Sequence, residues 1–251
     1  MIHLYTKGVI NILTLNDKKY LEELKTSNPE IYEFIMHIMD DTKQDIKVAC
    51  HDICNIISLI FGNYQLLELT NPQLSDNPRW SQMNDDLRYL INSMEAISFF
   101  RYADKVSLTP TNMEEYANDT LTYLKTKPEF AGLNFTIYND AMDTIINLDQ
   151  SKTKFIIEAI LNNVVDRTPE SNIIIHIEKD ASNLYINISD DSTFVPFDIR
   201  ETMFNPFVTD KQRHLGLSLA SCFQIMMAQN GTIEYIPNLD TGSTFTLKFN
   251  I

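Results

Sequence analysis

Glycine is scarce in this chain, with six residues in 251. Loops that wrap backbone N–H groups around a phosphate rely on glycine for close approach, so a nucleotide site of the usual construction is short of material. Positive charge is also in deficit: Lys and Arg number 20 against 34 Asp and Glu, a formal net charge of −14. Such a surface repels phosphate backbones and anionic lipid, which argues against nucleic acid and membrane as partners and favours a basic or mixed protein surface. Cys50, Cys54 and Cys222 are an odd number in a long chain and fit reduced thiols better than a disulfide framework. The apolar stretch Ile56-Ile57-Ser58-Leu59-Ile60-Phe61 is far shorter than the roughly 20 residues a membrane span needs. The start of the chain lacks the pattern of a secretory signal, so a cytoplasmic location without a membrane span is expected.

What is present falls into two halves with different periodicity. Between Pro29 and Thr70 no proline interrupts the chain, and apolar residues recur at Ile46, Ala49, Ile53, Ile56 and Ile60, alternately three and four apart. That pattern predicts a heptad seam on a long helix. Breaker residues between Asn71 and Pro78 end it, and Leu87, Leu90, Met94 and Ile97 repeat the spacing on a second helix. The two predict an antiparallel hairpin with a continuous apolar seam, and pairing two hairpins into a four-helix bundle buries the seam, so a homodimer is expected. Beyond Pro110 the expectation is a helix over about 111–126, a strand at 133–138, a helix over about 151–166, strands at 172–177 and 183–188 joined by a hairpin loop, a helix over about 215–229 ending at Asn230-Gly231, and closing strands at 232–236 and 244–249. The predicted class is α+β: a helical hairpin followed by an α/β sandwich. Three segments are expected, 1–27 without an assigned role, 28–105 as the hairpin, and 106–251 as the sandwich.

With Ile46 at heptad position a, His51 falls at f, the position pointing most directly away from the seam. Asp52 follows it, and Asn55 lies one turn on, on the same side of the helix. Imidazole attacks phosphorus through a neutral nitrogen. A neighbouring carboxylate can hold the other ring nitrogen as N–H and stabilise the positive charge that builds on the ring. Cys50, His51 and Cys54 make a poor zinc set, because all three sit on one helix with no further Cys or His cluster, so no metal is expected.

The run His51-Asp52-Ile53-Cys54-Asn55, with Gly62 eleven residues after the histidine and Leu66-Leu67 beyond, resembles the H-box of sensor histidine kinases. Ile56 stands where many members have proline. The second half resembles the family's ATP-binding domain, the fold shared with gyrase-type ATPases. Glu158 to Asn163 resembles the N-box, with Asn163 in the Mg²⁺-holding position and Ala159 where an earlier asparagine is common. Ile188 to Phe194 matches the box Asp-x-Gly-x-Gly, with Asp190 where the family's aspartate meets the adenine amino group. Ser192 and Phe194 replace both glycines, and a phenylalanine there is expected to fill the cleft. Met203 to Lys211 resembles the F-box. The following glycine-rich box keeps only Gly216, with Arg213 and His214 expected at a helix start where they attract phosphate or an acidic partner. Asp240 to Phe245 resembles the last turn before the closing strand.

The resemblance implies a phosphorylatable His51 supported by Asp52 and Asn55, and a vestigial ATP site at Asn163, Asp190, Lys211 and Gly216. For Asp190 the alternative is a carboxylate that caps backbone amides at a hairpin end; for Asn163 it is a polar residue held by neighbouring backbone. Three functions follow. The first is a histidine phosphotransferase in a phosphorelay, exchanging a phosphoryl group between His51 and receiver-domain aspartates without a cofactor. The second is a divergent kinase that still binds Mg-ATP. The third is a non-catalytic pseudokinase that binds and regulates a receiver or kinase.

Overall fold

A computed structural model describes residues 15–251, without the side chains of residues 15–19, 40, 43, 44, 46 and 47. It divides into two compact units, one comprising the residues up to Tyr102 with Lys211–Leu215, the other Ala103–Asp210 with Gly216–Ile251.

The first unit is helical: α1 (Leu15–Ser27), α2 (Pro29–Thr70) and α3 (Pro78–Arg101). Asn28 caps α2, its side chain accepting from Ile31 N at 3.3 Å, with Pro29 supplying a preset φ at the first helical position. Asn77 and Pro78 repeat the device for α3, where Asn77 Oδ1 accepts from Arg79 N at 3.0 Å. The two long helices match the expected hairpin, with Met94 of the α3 set buried and Leu87 and Ile97 half-buried, but α2 does not close along its expected seam. Ile57 and Tyr64 are buried, Phe61 is half-buried, and the Tyr64 ring stacks on Trp80 with centroids 4.3 Å apart. Ile53, Ile56, Ile60 and Leu67, on the neighbouring stripe, remain exposed, as does Leu90 on α3. Successive residues sit about 100° apart around a helix, so Ile56 and Ile57 belong to different faces and α2 carries two apolar stripes. One is used within the hairpin and one is not. Ile46, first in the expected seam, lies outside the described side chains.

The second unit carries a five-stranded sheet in the order β2 (Asn134–Asn139), β4 (Asn172–Lys179), β5 (Asn183–Asp190), β7 (Ser243–Asn250), β6 (Thr232–Pro237). Only β2 and β4 run parallel. Strict alternation sends Ile173, Ile175, Ile177, Leu184, Ile186, Ile188, Phe245 and Leu247 inward, all buried with Ile156, Ile160 and Leu161 of α5 (Gln150–Arg167) and Ile225 of α7 (Ser218–Ala228). Each such side chain contributes about 1.5–3 kcal/mol of transfer free energy. The other sheet face is polar, bearing His176, Asn187, Thr246 and Lys248, so the unit is a two-layer α/β sandwich.

The helix expected from residue 111 begins later. Thr109–Asn112 forms β1, paired antiparallel with β3 (Ile145–Leu148), and Asn112 Oδ1 then caps α4 (Met113–Lys125) through Glu114 N and Glu115 N. The helix expected from residue 215 starts at Ser218, because Arg213 and Gly216 adopt positive φ. Arg213 and His214 therefore precede the helix rather than opening it. A short helix, α6 (Phe197–Arg200), completes the set. Among the described residues no helix is long and apolar enough to cross a membrane.

Asp149 ties the sandwich together. Its Oδ1 accepts from Lys152 N at 3.0 Å and Ser151 Oγ at 2.7 Å, capping α5, and its Oδ2 accepts from Ser107 N at 2.7 Å. Burial works to raise this carboxyl, but the three donors together with the Lys152 charge outweigh it and hold it below the usual carboxylate value. Asp149→Ala is expected to cost about 2–4 kcal/mol at pH 7, as a cap is lost and the Ser107 N–H is left unpaired. With the folded value depressed, the contribution is complete above the unfolded value near 3.9 and lost as pH falls through the folded one. Urea denaturation of both proteins should therefore show a wide stability gap at pH 7 that narrows as the pH is lowered beneath about 4.

Candidate functional site

Residues of α2 form the first candidate site. His51 and Asp52 are well exposed, their side chains 72% and 66% accessible, and Asp52 Oδ1 lies 3.2 Å from His51 Nδ1. Asn55, one turn on, brings its amide to 3.3 Å from the same nitrogen. A carboxylate can only accept, so the Asp52 contact requires the proton on Nδ1. Asn55 is compatible with that tautomer when its Oδ1, rather than its Nδ2, faces the ring, which a 180° rotation of the amide achieves with the same heavy-atom positions. Both contacts fall on Nδ1, and in this tautomer Nε2 keeps its lone pair. The helix therefore presents a neutral nucleophilic nitrogen with an anion beside the ring that becomes positive on attack. The sequence names all three residues; which ring nitrogen they engage depends on the helix geometry.

The second unit holds Asn163, Asp190 and Gly216, while Lys211 groups with the first unit. Asp190 is 5% exposed and its carboxylate is already engaged. Oδ1 accepts from Ser192 N at 2.9 Å and from Ser192 Oγ, and Oδ2 accepts from Ser243 Oγ at 2.8 Å. The serine that replaces the first glycine thus turns back onto the aspartate. Asn163 Nδ2 donates to Ala159 O of its own helix at 3.0 Å. Gly216 has φ +65 and packs against Val208, where an added Cβ would fall 2.3 Å from the carbonyl oxygen; Phe207 N also donates to Gly216 O at 3.1 Å. Its role here is steric, closing a turn rather than offering a row of N–H groups.

Phe194, expected to fill the cleft, is 36% exposed, with the Arg200 guanidinium 5.6 Å from its ring centroid. The adjacent Val195 takes the buried place, its N–H donating to Tyr235 Oη at 3.2 Å, and Arg200 Nε donates to Val195 O at 2.8 Å. Two buried serines, Ser192 and Ser243, are the functional neighbours sequence reasoning did not pair with Asp190; Ser243 lies in a segment recognised only as a turn.

A family model for histidine kinase-, DNA gyrase B-, and HSP90-like ATPases matches residues 148–251. Among curated proteins the chain is similar to Sporulation kinase A of Bacillus subtilis, 21% identical over 202 residues, covering 79% of this chain and 33% of that protein. It is also similar to the Sensor histidine kinase RcsC of Salmonella typhi, 28% identical over 256 residues, covering 97% of this chain and 27% of that one. The chain thus spans about a third or less of the length of these relatives. Among solved structures, full-length ShkA in complex with AMPPNP aligns with a TM-score of 0.66 at 19% identity, over 82% of this chain and 45% of that one. Histidine kinase ThkA in complex with the response regulator protein TrrA aligns with a TM-score of 0.57 at 17% identity, over 95% of this chain and 67% of that one. At these identities the structural likeness bears on the fold.

Proposed function

Since the chain is a sensor histidine kinase-like protein with an ATP-binding domain of the histidine kinase, gyrase and HSP90 type, we propose that it works as a phosphorelay histidine phosphotransferase whose acceptor is His51. The observation that carries this reading is the contrast between the two sites. His51 keeps an exposed ring with Nδ1 against Asp52, whereas the Asp190 carboxylate is occupied by Ser192 and Ser243. The acceptor machinery is complete while the nucleotide machinery is turned inward.

In the proposed reaction Nε2 attacks the phosphorus of a receiver's aspartyl phosphate in line with the breaking P–O bond, and the receiver's carboxylate leaves. Asp52 holds the Nδ1 proton and stabilises the cationic ring; reversal onto a second receiver regenerates the free imidazole. Such a transfer draws its Mg²⁺ from the receiver and needs no nucleotide. Receiver domains as partners are supported by the ThkA relative, whose structure is a complex with a response regulator. Homodimerisation is supported by the unused stripe of Ile53, Ile56, Ile60 and Leu67, which a second hairpin would bury in a four-helix bundle. A cytoplasmic location belongs to the same proposal.

Incubation with labelled ATP and, separately, with a labelled phosphorylated receiver domain tests the reading. Acid-labile, base-stable label is expected from the receiver only. Label arriving from ATP alone would overturn it in favour of an active kinase, and label from neither source favours a pseudokinase. Millimolar Mg-ATP is correspondingly expected to raise the melting temperature by less than about 1 °C, since a ligand that binds the folded state must stabilise it.

A further inference from the structure

We propose that His37 is a second phosphoacceptor on α2, taking the phosphoryl group from the same acyl-phosphate donors as His51. The inference rests on the receiver-to-histidine chemistry proposed above. His37 lies fourteen residues before His51 on one continuous helix. At 100° and 1.5 Å per residue that is about 40° short of four full turns and about 21 Å along the axis, so both rings emerge from nearly the same side.

The local geometry repeats that of His51. Asp41 Oδ2 lies 3.1 Å from His37 Nδ1, and the two side chains are 75% and 70% exposed. Asp41 stands four residues on, the offset at which Asn55 meets His51. As at His51, a carboxylate that can only accept fixes the proton on Nδ1 and leaves the lone pair on Nε2. His176 differs: it meets Asp140 through Nε2 at 2.8 Å, on a side chain 34% exposed, which directs its proton to the outer nitrogen and its lone pair toward the backbone side. Mere solvation of a helical histidine does not require the acid to select Nδ1, and the selection is what nucleophilic attack by Nε2 needs.

The step balances as at His51. The Nε2 lone pair forms the N–P bond, the P–O bond of the acyl phosphate breaks, and its electron pair leaves on the donor's carboxylate. The ring's positive charge is held against Asp41 until the Nδ1 proton passes through that carboxylate to water. Glu33 and Asp41 lie one turn to either side, so an anionic donor approaches against more negative charge than a single acid supplies. His37 is therefore the slower acceptor, by about tenfold.

The test uses the full chain and a labelled phosphorylated receiver domain, with labelled residues mapped by electron-transfer fragmentation. His51→Gln is expected to retain acid-labile label on His37 at about a tenth of the wild-type initial rate, and His37→Gln/His51→Gln to lose it. Adding Asp41→Asn to His51→Gln should slow the remaining labelling about tenfold, a change that a purely structural ion pair would not produce. Label on His51 in the wild-type chain, with none on His37 either there or in His51→Gln, overturns this inference and leaves the His51 reading intact. Label on neither histidine overturns both.

Discussion

His51→Gln is expected to reduce receiver-derived labelling of the His51 peptide to background, a loss of at least about a thousandfold, with the fold unchanged. Glutamine is a good helix former of similar bulk, and the position is exposed, so stability should move by no more than about 0.5 kcal/mol. What disappears is the His51 nitrogen proposed to attack phosphorus, so labelling at this position is lost whatever His37 accepts. Asp52→Asn is the finer probe, because it keeps the size and one acceptor oxygen while removing the charge. At about 3–4 Å an anion stabilises a cationic ring by about 1 kcal/mol in a watery setting and about 4 kcal/mol at an effective dielectric near 20. The exposure of both groups places the effect toward the lower part of that span, so a rate loss of about 10–100-fold is expected. The loss should fall on the transfer rate rather than on receiver affinity, and rapid-quench measurement at saturating receiver separates the two. An Asp52→Asn variant that accepts phosphate at the wild-type rate would remove the carboxylate from the mechanism.

The uneven legibility of this chain has physical causes. Helix α2 could be read because a 42-residue run without proline after Pro29, capped by asparagine, leaves few alternatives. The side of α2 that meets α3 was not readable, since Ile56 and Ile57 are equally apolar neighbours and only the partner helix chooses between their faces. Strands β4, β5 and β7 declare themselves through β-branched alternation. β1 and β3 do not: each has four residues, β1 contains Pro110, and the pair exists through contacts between residues such as Thr111 and Ile146 that no local pattern joins. The same division runs through the candidate sites. His51, Asp52 and Asn55 lie within five residues, so the sequence alone brings them together, while the occupation of Asp190 depends on Ser243, 53 residues away. Phe194, expected to fill the cleft, stands 36% exposed because Val195 takes the buried place and Tyr235, from β6, anchors the Val195 amide.

Gly242→Ala should be among the most destabilising single substitutions in the second unit, at about 3 kcal/mol or more. Gly242 sits at φ +74, a region that costs a side-chain-bearing residue strain, and an added Cβ would fall 1.8 Å from Asp190 O and 2.7 Å from Asp191 Cα. Neither atom can swing aside, because both are backbone at the end of the central strand β5. The turn is further pinned by Asn238, whose N–H donates to Gly242 O at 3.0 Å and whose side-chain Nδ2 donates to Asp190 O at 3.2 Å. For a chain of this size the expected fall in melting temperature is about 6–12 °C, measurable by circular dichroism. Gly62→Ala supplies the contrast: that glycine lies exposed within α2 with nothing within 4 Å of an added Cβ. Alanine there removes backbone freedom from the unfolded chain and should stabilise by about 0.4–1 kcal/mol. The opposed signs would show that Gly242 endures here for the backbone contact it permits against Asp190, a demand that persists whether or not a nucleotide ever enters. Equal, small effects at the two glycines would mean that the β6–β7 turn yields easily against the end of β5, and with it the claim that Asp190 is locked into the sandwich by its own chain.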